Sequence, residues 1–361
     1  MATDNRRLTT DNSNGQQTTD SQRTCSVLQL KDIKALNIEV SSKCIGKCPF
    51  CSRQQKVRPY GGQLITLSEF KLLPVSFIRQ LKLITFAGNF GDFCSNPELV
   101  DIASYVKQLN PSVKLGGDTN GSLQDASWWK TLGPFFHDGG MVFSVDGLAD
   151  THPIHRRGTN FHKIIRNIAA FTAAGGTAYW KFIVFKHNEH QIKEAEALAE
   201  DIGCARFYVI SSRDYDESCR RPETFDFKIK REIFSSYRQK QSIKDAPALC
   251  KPWHSGSIYI AADGTVHPCC FAHCMYITEH NRSFRYIVPL IETNKSHINF
   301  KTRPLSEILS SPYFSTVRSE SKMNLYCATK CNKYKKQIRK EVVLHDTFFQ
   351  SKHALSAGPK P

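Results

Sequence analysis

Residues Leu36 to Cys51 read LNIEVSSKCIGKCPFC. Leu36, Ile38 and Val40 alternate with Asn37 and Glu39, which is the period of a half-buried strand. The strand gives way to a loop carrying Cys44, Cys48 and Cys51, spaced C-x₃-C-x₂-C. Three thiolates on one short loop can hold three irons of a [4Fe-4S] cluster, whose usual complement is four cysteines. An iron left without a protein ligand can take a substrate or cofactor, much as a catalytic metal site keeps one position open. A zinc knot is the alternative. Zinc sites, however, usually pair cysteines as C-x₂-C with a second pair elsewhere.

Outward from this stretch, strand-like and helix-like segments alternate. The strand candidates are Ala35–Val40, Leu83–Ala87, Val113–Gly116, Met141–Ser144, Tyr179–Phe185 and Phe207–Ile210. Between them lie helix candidates Leu67–Gln80, Pro97–Leu109, Asp125–Leu132, Asn160–Ala174 and Glu189–Ile202. This alternation predicts an α/β fold with a parallel sheet and its helices outside. In barrels of this kind the chemistry sits in loops after the C-terminal strand ends, where the cysteine loop falls.

The triplet, with aromatic Phe50 just before its last cysteine, resembles the signature of the radical S-adenosylmethionine (SAM) enzymes. The resemblance implies a partial (β/α)₆ TIM-type barrel whose Cys44, Cys48 and Cys51 hold the SAM-binding [4Fe-4S] cluster. It further implies reductive cleavage of SAM to a 5′-deoxyadenosyl radical, which takes hydrogen from a substrate. Later loops fit the same pattern. Gly88-Asn89-Phe90-Gly91-Asp92 resembles the family's Gly-Gly-Glu-Pro loop, with Asn89 and Asp92 in altered positions and Phe93 in place of proline. Asn120 lies in a Thr-Asn-Gly turn, Ser144 begins Ser-Val-Asp-Gly, and Arg157 lies in His-Arg-Arg-Gly. Phe50, Gly88, Asn89, Gly91, Asp92, Asn120, Ser144 and Arg157 are the expected SAM contacts. An arginine can pair bidentately with the SAM carboxylate. Asn188 reads as an N-cap of the helix that follows it.

Past Ala248 the character changes. Ser257–Ile260, an Asp263-Gly264 turn and Val266 onward read as a hairpin. Cys250, Gly264 and Cys269 are spaced C-x₁₃-G-x₄-C, and Cys327-x₃-Cys331 follows much later. This resembles the SPASM and twitch extensions of radical SAM enzymes, which carry auxiliary iron–sulfur clusters. The expected ligands are Cys250, Cys269, Cys327 and Cys331, with Cys270 and Cys274 as alternates. The C-x₂-C-x₅-C-x₃-C block of a full SPASM region is missing, which favours the shorter twitch form with one cluster. A structural Cys₄ zinc site joining hairpin and tail is the alternative.

The chain has 361 residues, 40% of them hydrophobic, enough for one large domain or two ordinary ones. The expected organisation is a disordered tail (1–30), a radical SAM core (31–212), a basic connector (213–248) holding one helix (Phe227–Ile243), an auxiliary-cluster domain (249–335) and a basic tail (336–361). Met1 to Thr24 is almost all polar, with no signal-peptide run, and no apolar run is long enough to span a membrane. Thirteen cysteines then point to metal chemistry in the cytoplasm rather than to disulfides. The net charge of +16 is concentrated in Arg220–Lys244 and Lys330–Pro361. Such blocks are most often solvated faces, and no RNA-binding motif accompanies them. The expected partners are therefore a peptide or small-molecule substrate and an electron donor such as a flavodoxin or ferredoxin. An RNA-modifying enzyme, or a zinc-stabilised nucleic-acid-binding protein, is the alternative and is not favoured.

Overall fold

Six strands run parallel in chain order: β1 (Ala35–Ile38), β2 (Leu83–Phe86), β3 (Lys114–Thr119), β4 (Gly140–Ser144), β5 (Ala178–Val184) and β6 (Arg206–Ser211). A computed structural model describes residues 27–86, 88–225, 250–279 and 286–323, with residues 327 and 331. The tail at 1–26, the connector residues 226–248 with their expected helix, and the tail at 336–361 lie outside the described residues.

The α/β reading holds, and the burial patterns show why. Leu36 and Ile38 of β1 turn to one side and are fully buried, while every residue of β4 is buried. Helices occupy the crossovers: α1 (Leu67–Phe70), α2 (Val75–Gln80), α3 (Leu99–Leu109), α4 (Ala126–Leu132), the short α5 (His152–His155), α6 (Phe161–Ala173) and α7 (Ile192–Asp201). Helix α3 buries Leu99, Ile102, Ala103 and Val106, the stripe expected of an amphipathic helix laid on a sheet. Asp125 caps α4 by accepting from Trp128 N–H, and Asn160 caps α6 by accepting from Lys163 N–H. Between sheet and helices, Phe86, Phe93, Phe136, Phe143, Phe171 and Trp129 form one aromatic cluster with ring centroids 5.2–6.4 Å apart. Burying each such ring stabilises the fold by about 1.5–3 kcal/mol.

The structure corrects three local readings. Leu67–Gln80 is two helices rather than one, because Pro74 lacks an N–H and restricts Leu73 before it; Pro74 instead precedes α2 as its N-cap. Asn188 does not cap with its side chain. Its amide accepts from Phe185 N–H (2.7 Å) and donates to Ile183 C=O (3.1 Å), fastening the end of β5. Strand β3 lies further along than expected, reaching Thr119 rather than ending at Gly116.

The C-terminal hairpin forms as read: β7 (Ser257–Ile260) and β8 (Val266–His267) pair antiparallel. Its location is new. β7 adds to β1 in parallel register, Ala35 opposite Ser257 and Ile38 opposite Ile260. One eight-stranded sheet results, in the order β6-β5-β4-β3-β2-β1-β7-β8, and β1 is an interior strand with a partner on each side.

Candidate active site

The triplet loop leaves the C-terminal end of β1, and the thiols of Cys44 and Cys48 flank Gly46. A Cβ at that position would lie 3.4 Å from Cys44 Sγ and 3.6 Å from Cys48 Sγ, so the two sulfurs flank one backbone atom. Cys48 in turn lies close enough to Cys51 for the two thiols to act on each other electrostatically. Backbone bonds fix the loop. Lys47 N–H donates to Arg157 C=O (2.7 Å), Arg53 Nη1 to Gly46 C=O (2.6 Å), and Cys51 N–H to Cys48 C=O (3.2 Å). Two donors meet the first sulfur, Gly46 N–H at 3.3 Å and Asn120 Nδ2 at 3.7 Å. Burial, with Asp92 nearby, pushes the Cys44 thiol up to about 11, and burial raises Cys48 as well. Binding iron at these thiols therefore displaces protons.

The loop after β2 lies directly beneath. A Cβ on Gly91 would sit 1.8 Å from Ser41 C=O, so only glycine lets this loop rest on the backbone leading to Cys44. Asp92 N–H donates to Lys43 C=O (2.8 Å), joining the two loops. The Asp92 carboxylate is fully buried and accepts from Asn120 N–H (2.7 Å), Thr119 Oγ1 (3.0 Å), Cys94 N–H (3.1 Å) and Asn120 Nδ2. Burial still raises its carboxyl above the usual range. In this structure the oxygens of Asp92, one of the expected SAM contacts, hold the β2 and β3 loops together. Asn89 also turns away from the triplet, donating to Cys270 C=O (2.9 Å) and Tyr259 Oη (3.3 Å) in the C-terminal extension.

The β4 loop supplies the charged wall. Asp146 is fully buried and accepts from His155 Nδ1 (2.7 Å), Arg156 Nε and Ile183 N–H (2.7 Å). Burial alone would raise its carboxyl, but the Arg156 guanidinium and His155 outweigh it and hold Asp146 well below the usual carboxylate range. Arg156 also hydrogen-bonds the Cys48 thiol. Arg157, the arginine expected at the site, is exposed and donates to Ser218 Oγ (3.1 Å) and Ile154 C=O (3.2 Å). The arginine facing the triplet is its neighbour. Phe50 stacks on His155 with centroids 6.0 Å apart, and Phe185 packs against both rings, 4.8 Å from His155 and 6.5 Å from Phe50. Ser144 is buried at the end of β4, on the same rim.

The four expected auxiliary cysteines come together although they lie far apart in the chain. Cys250 precedes the helix Lys251–Ser255, Cys269 precedes the helix Cys270–Thr278, and Cys327 and Cys331 follow the helix Pro312–Met323. The Cys269 thiol is raised first by burial, then by Cys270, Cys250, Cys331 and Cys327, which places all four thiols in its neighbourhood. Cys327 is raised by burial and by Cys250 and Cys331. Among the described residues no three Cys, His, Asp or Glu side chains close on a point as ligands of a single ion would. Thiolates are the ligands that iron–sulfur clusters take, so the donor chemistry of both cysteine sets suits such a group.

Two residues escaped the sequence reading. Arg156 differs from Arg157 only in the backbone turn that follows α5. Glu39 sits on the face of β1 opposite Leu36 and Ile38, fully buried, and accepts four hydrogen bonds. The available signal was a carboxylate at the end of a central strand, where a charge is costly unless partnered.

A family model described as the radical SAM superfamily matches residues 38–202, and one for an iron–sulfur cluster-binding domain, SPASM, matches residues 250–332. No match was found among curated proteins. Among solved structures, Streptococcus suis SuiB bound to precursor peptide SuiA superposes with a TM-score of 0.53 at 14% identity, covering 80% of this chain and 67% of that one. SuiB bound to S-adenosylmethionine gives a TM-score of 0.52 at 14% identity, covering 80% and 68%. At this identity the likeness is one of fold, a partial barrel with a C-terminal extension.

Proposed function

The chain belongs to the radical SAM superfamily and carries a SPASM iron–sulfur domain, and from that premise we propose that it is an oxidoreductase or maturase that modifies a peptide. Its cofactors are SAM, the [4Fe-4S] cluster that binds it, and auxiliary iron–sulfur clustering in the SPASM domain. When bound, cluster and SAM supply reductive cleavage of the sulfonium to a 5′-deoxyadenosyl radical that takes hydrogen from a substrate C–H bond.

The observation that carries the reading is the placement of Cys44 and Cys48 on either side of Gly46, with Cys51 beside Cys48, on the loop that follows β1. These three hold the SAM-binding cluster. Asn120 donates to Cys44 and Arg156 to Cys48, and hydrogen bonds to cluster sulfurs tune the reduction potential. The loop from Gly88 to Gly91 orients the SAM aminocarboxylate, with Asp92 holding that loop against the β3 turn. Phe50 and Ser144 line the same rim. Arg156, fixed by Asp146, contributes positive charge beside Cys48. Cys250, Cys269, Cys327 and Cys331 hold one auxiliary cluster, a four-ligand site suited to passing an electron onward. A peptide substrate is favoured because the fold is shared with SuiB, which binds a precursor peptide. An electron donor such as a flavodoxin or ferredoxin, in the cytoplasm, completes the system.

The test is anaerobic reconstitution, iron and sulfide analysis, and incubation with SAM and dithionite. The expected product is 5′-deoxyadenosine from a brown, zinc-poor protein. A colourless protein whose cysteines bind zinc would overturn the reading. The net charge of +16 keeps RNA as a second substrate class. Salt-sensitive RNA retention would support it, and absence of binding at low salt would remove it.

A further inference from the structure

We propose that Glu39 is the positioning residue of the SAM loop, orienting that loop's backbone carbonyls and tying the loop to the C-terminal extension. This rests on the functional reading above and assigns a role to a residue that reading does not use.

The two carboxylate oxygens of Glu39 divide their partners by region. Oε1 accepts from Phe90 N–H (2.8 Å) and Gly91 N–H (2.9 Å), both in the loop after β2. Oε2 accepts from Tyr60 Oη (3.0 Å) and Tyr259 Oη (3.1 Å). Tyr259 belongs to β7, and Tyr60 Oη in turn accepts from Ala262 N–H (2.9 Å) beyond it. The site is fitted around the carboxylate, since a Cβ on Gly88 would fall 2.5 Å from Oε1.

The orientation follows from the peptide unit. In a trans peptide the N–H and the preceding C=O point in opposite directions. Two successive N–H groups aimed at Glu39 therefore turn the Asn89 and Phe90 carbonyls to the opposite side of the loop. Carbonyls are acceptors, and the group they suit is a nitrogen donor such as the amino end of SAM. Without an acceptor beneath, the two buried N–H groups would be orphaned, and the loop would have to rotate them elsewhere.

Reach and charge can be separated by substitution. Glu39→Gln keeps the length and an oxygen for the two N–H groups. Glu39→Asp keeps the charge but withdraws the carboxylate by about 1.5 Å, one C–C bond. Both variants, reconstituted to the iron content of the parent, are compared by equilibrium dialysis of SAM and by the SAM-induced change in the electron paramagnetic resonance spectrum of the reduced protein. The expected result is at least tenfold weaker SAM binding for Glu39→Asp and a change within about threefold for Glu39→Gln, with melting temperatures close to the parent's. In the iron-free chain, hydrogen exchange at the Phe90 and Gly91 amides should quicken at least tenfold in Glu39→Asp alone. Parent-like SAM binding by a fully loaded Glu39→Asp would overturn the assignment. So would a loss of binding that merely follows a fall in melting temperature in both variants. A parent that neither holds iron nor cleaves SAM would instead sink the functional reading, leaving the amide exchange to judge Glu39 separately.

Discussion

The two cysteine sites are built in opposite ways. The triplet comes from one eight-residue loop, Cys44 to Cys51, braced by backbone bonds and by donors from the β3 and β4 loops. The auxiliary set comes from three separate stretches, at Cys250, Cys269 and Cys327 to Cys331. Closing a longer loop costs more chain entropy, and a cross-link across it recovers more. The difference predicts that the first site is shaped by the protein before any metal arrives, whereas the second gains part of its stability from the group it is proposed to hold.

The largest contrast is expected from removing each set. Replacing Cys44, Cys48 and Cys51 together with alanine should abolish SAM cleavage, leave the melting temperature near the parent's and retain the auxiliary iron, as checked by iron analysis and calorimetry. Replacing Cys250, Cys269, Cys327 and Cys331 should instead raise proteolysis within residues 250–331 by tenfold or more, through local opening of a region that lost its cross-link. Equal effects on stability from the two sets would erase the distinction.

Next in size is the charged wall of the first site. Arg156→Ala leaves Asp146 buried and without its guanidinium, and should cost about 3–5 kcal/mol in a denaturant titration. Arg157→Ala, at the exposed neighbour, should stay within about 0.5 kcal/mol. A reversed order would place the wrong arginine at the site.

The smallest effect is a pH dependence at the seam between the two regions. Burial pushes the Glu39 carboxyl up from 4.5 to about 7, against the lowering effect of its donors Phe90, Tyr60, Tyr259 and Gly91. The titratable groups facing it are Tyr60, Tyr259 and the Cys270 thiol. A raised carboxyl pKa means that the folded chain holds a proton which the unfolded chain releases. Its contribution to stability is therefore present below about pH 4.5 and is lost as the pH climbs through about 7. Denaturation of the iron-free parent and of Glu39→Gln at several pH values should show this loss in the parent only.

Local pattern made much of this legible. The apolar alternation of Leu36, Ile38 and Val40 and the Asp263-Gly264 turn each act over a few residues, and each formed as read. What stayed hidden depends on distant partners. Nothing near Ser257 indicates that its strand will lie beside Ala35, because parallel pairing is specified by packing across the whole sheet. Arg156 and Arg157 are chemically alike and adjacent, so only the turn after α5 decides which one faces Cys48. Asp92 looked like a ligand contact because it ends a glycine-rich loop, yet the Thr119 and Asn120 donors that occupy it come from another strand.

Because β1 is flanked on both sides, the strand that launches the cysteine loop cannot be completed early in synthesis. Its second neighbour leaves the ribosome only after the entire barrel has been made. Until then β1 presents a bare ladder of amides and carbonyls, a template for mispairing with other chains. Delivery of iron to the loop is thus best timed after release of the finished polypeptide, and fragments ending before Ser257 should be recovered as aggregates.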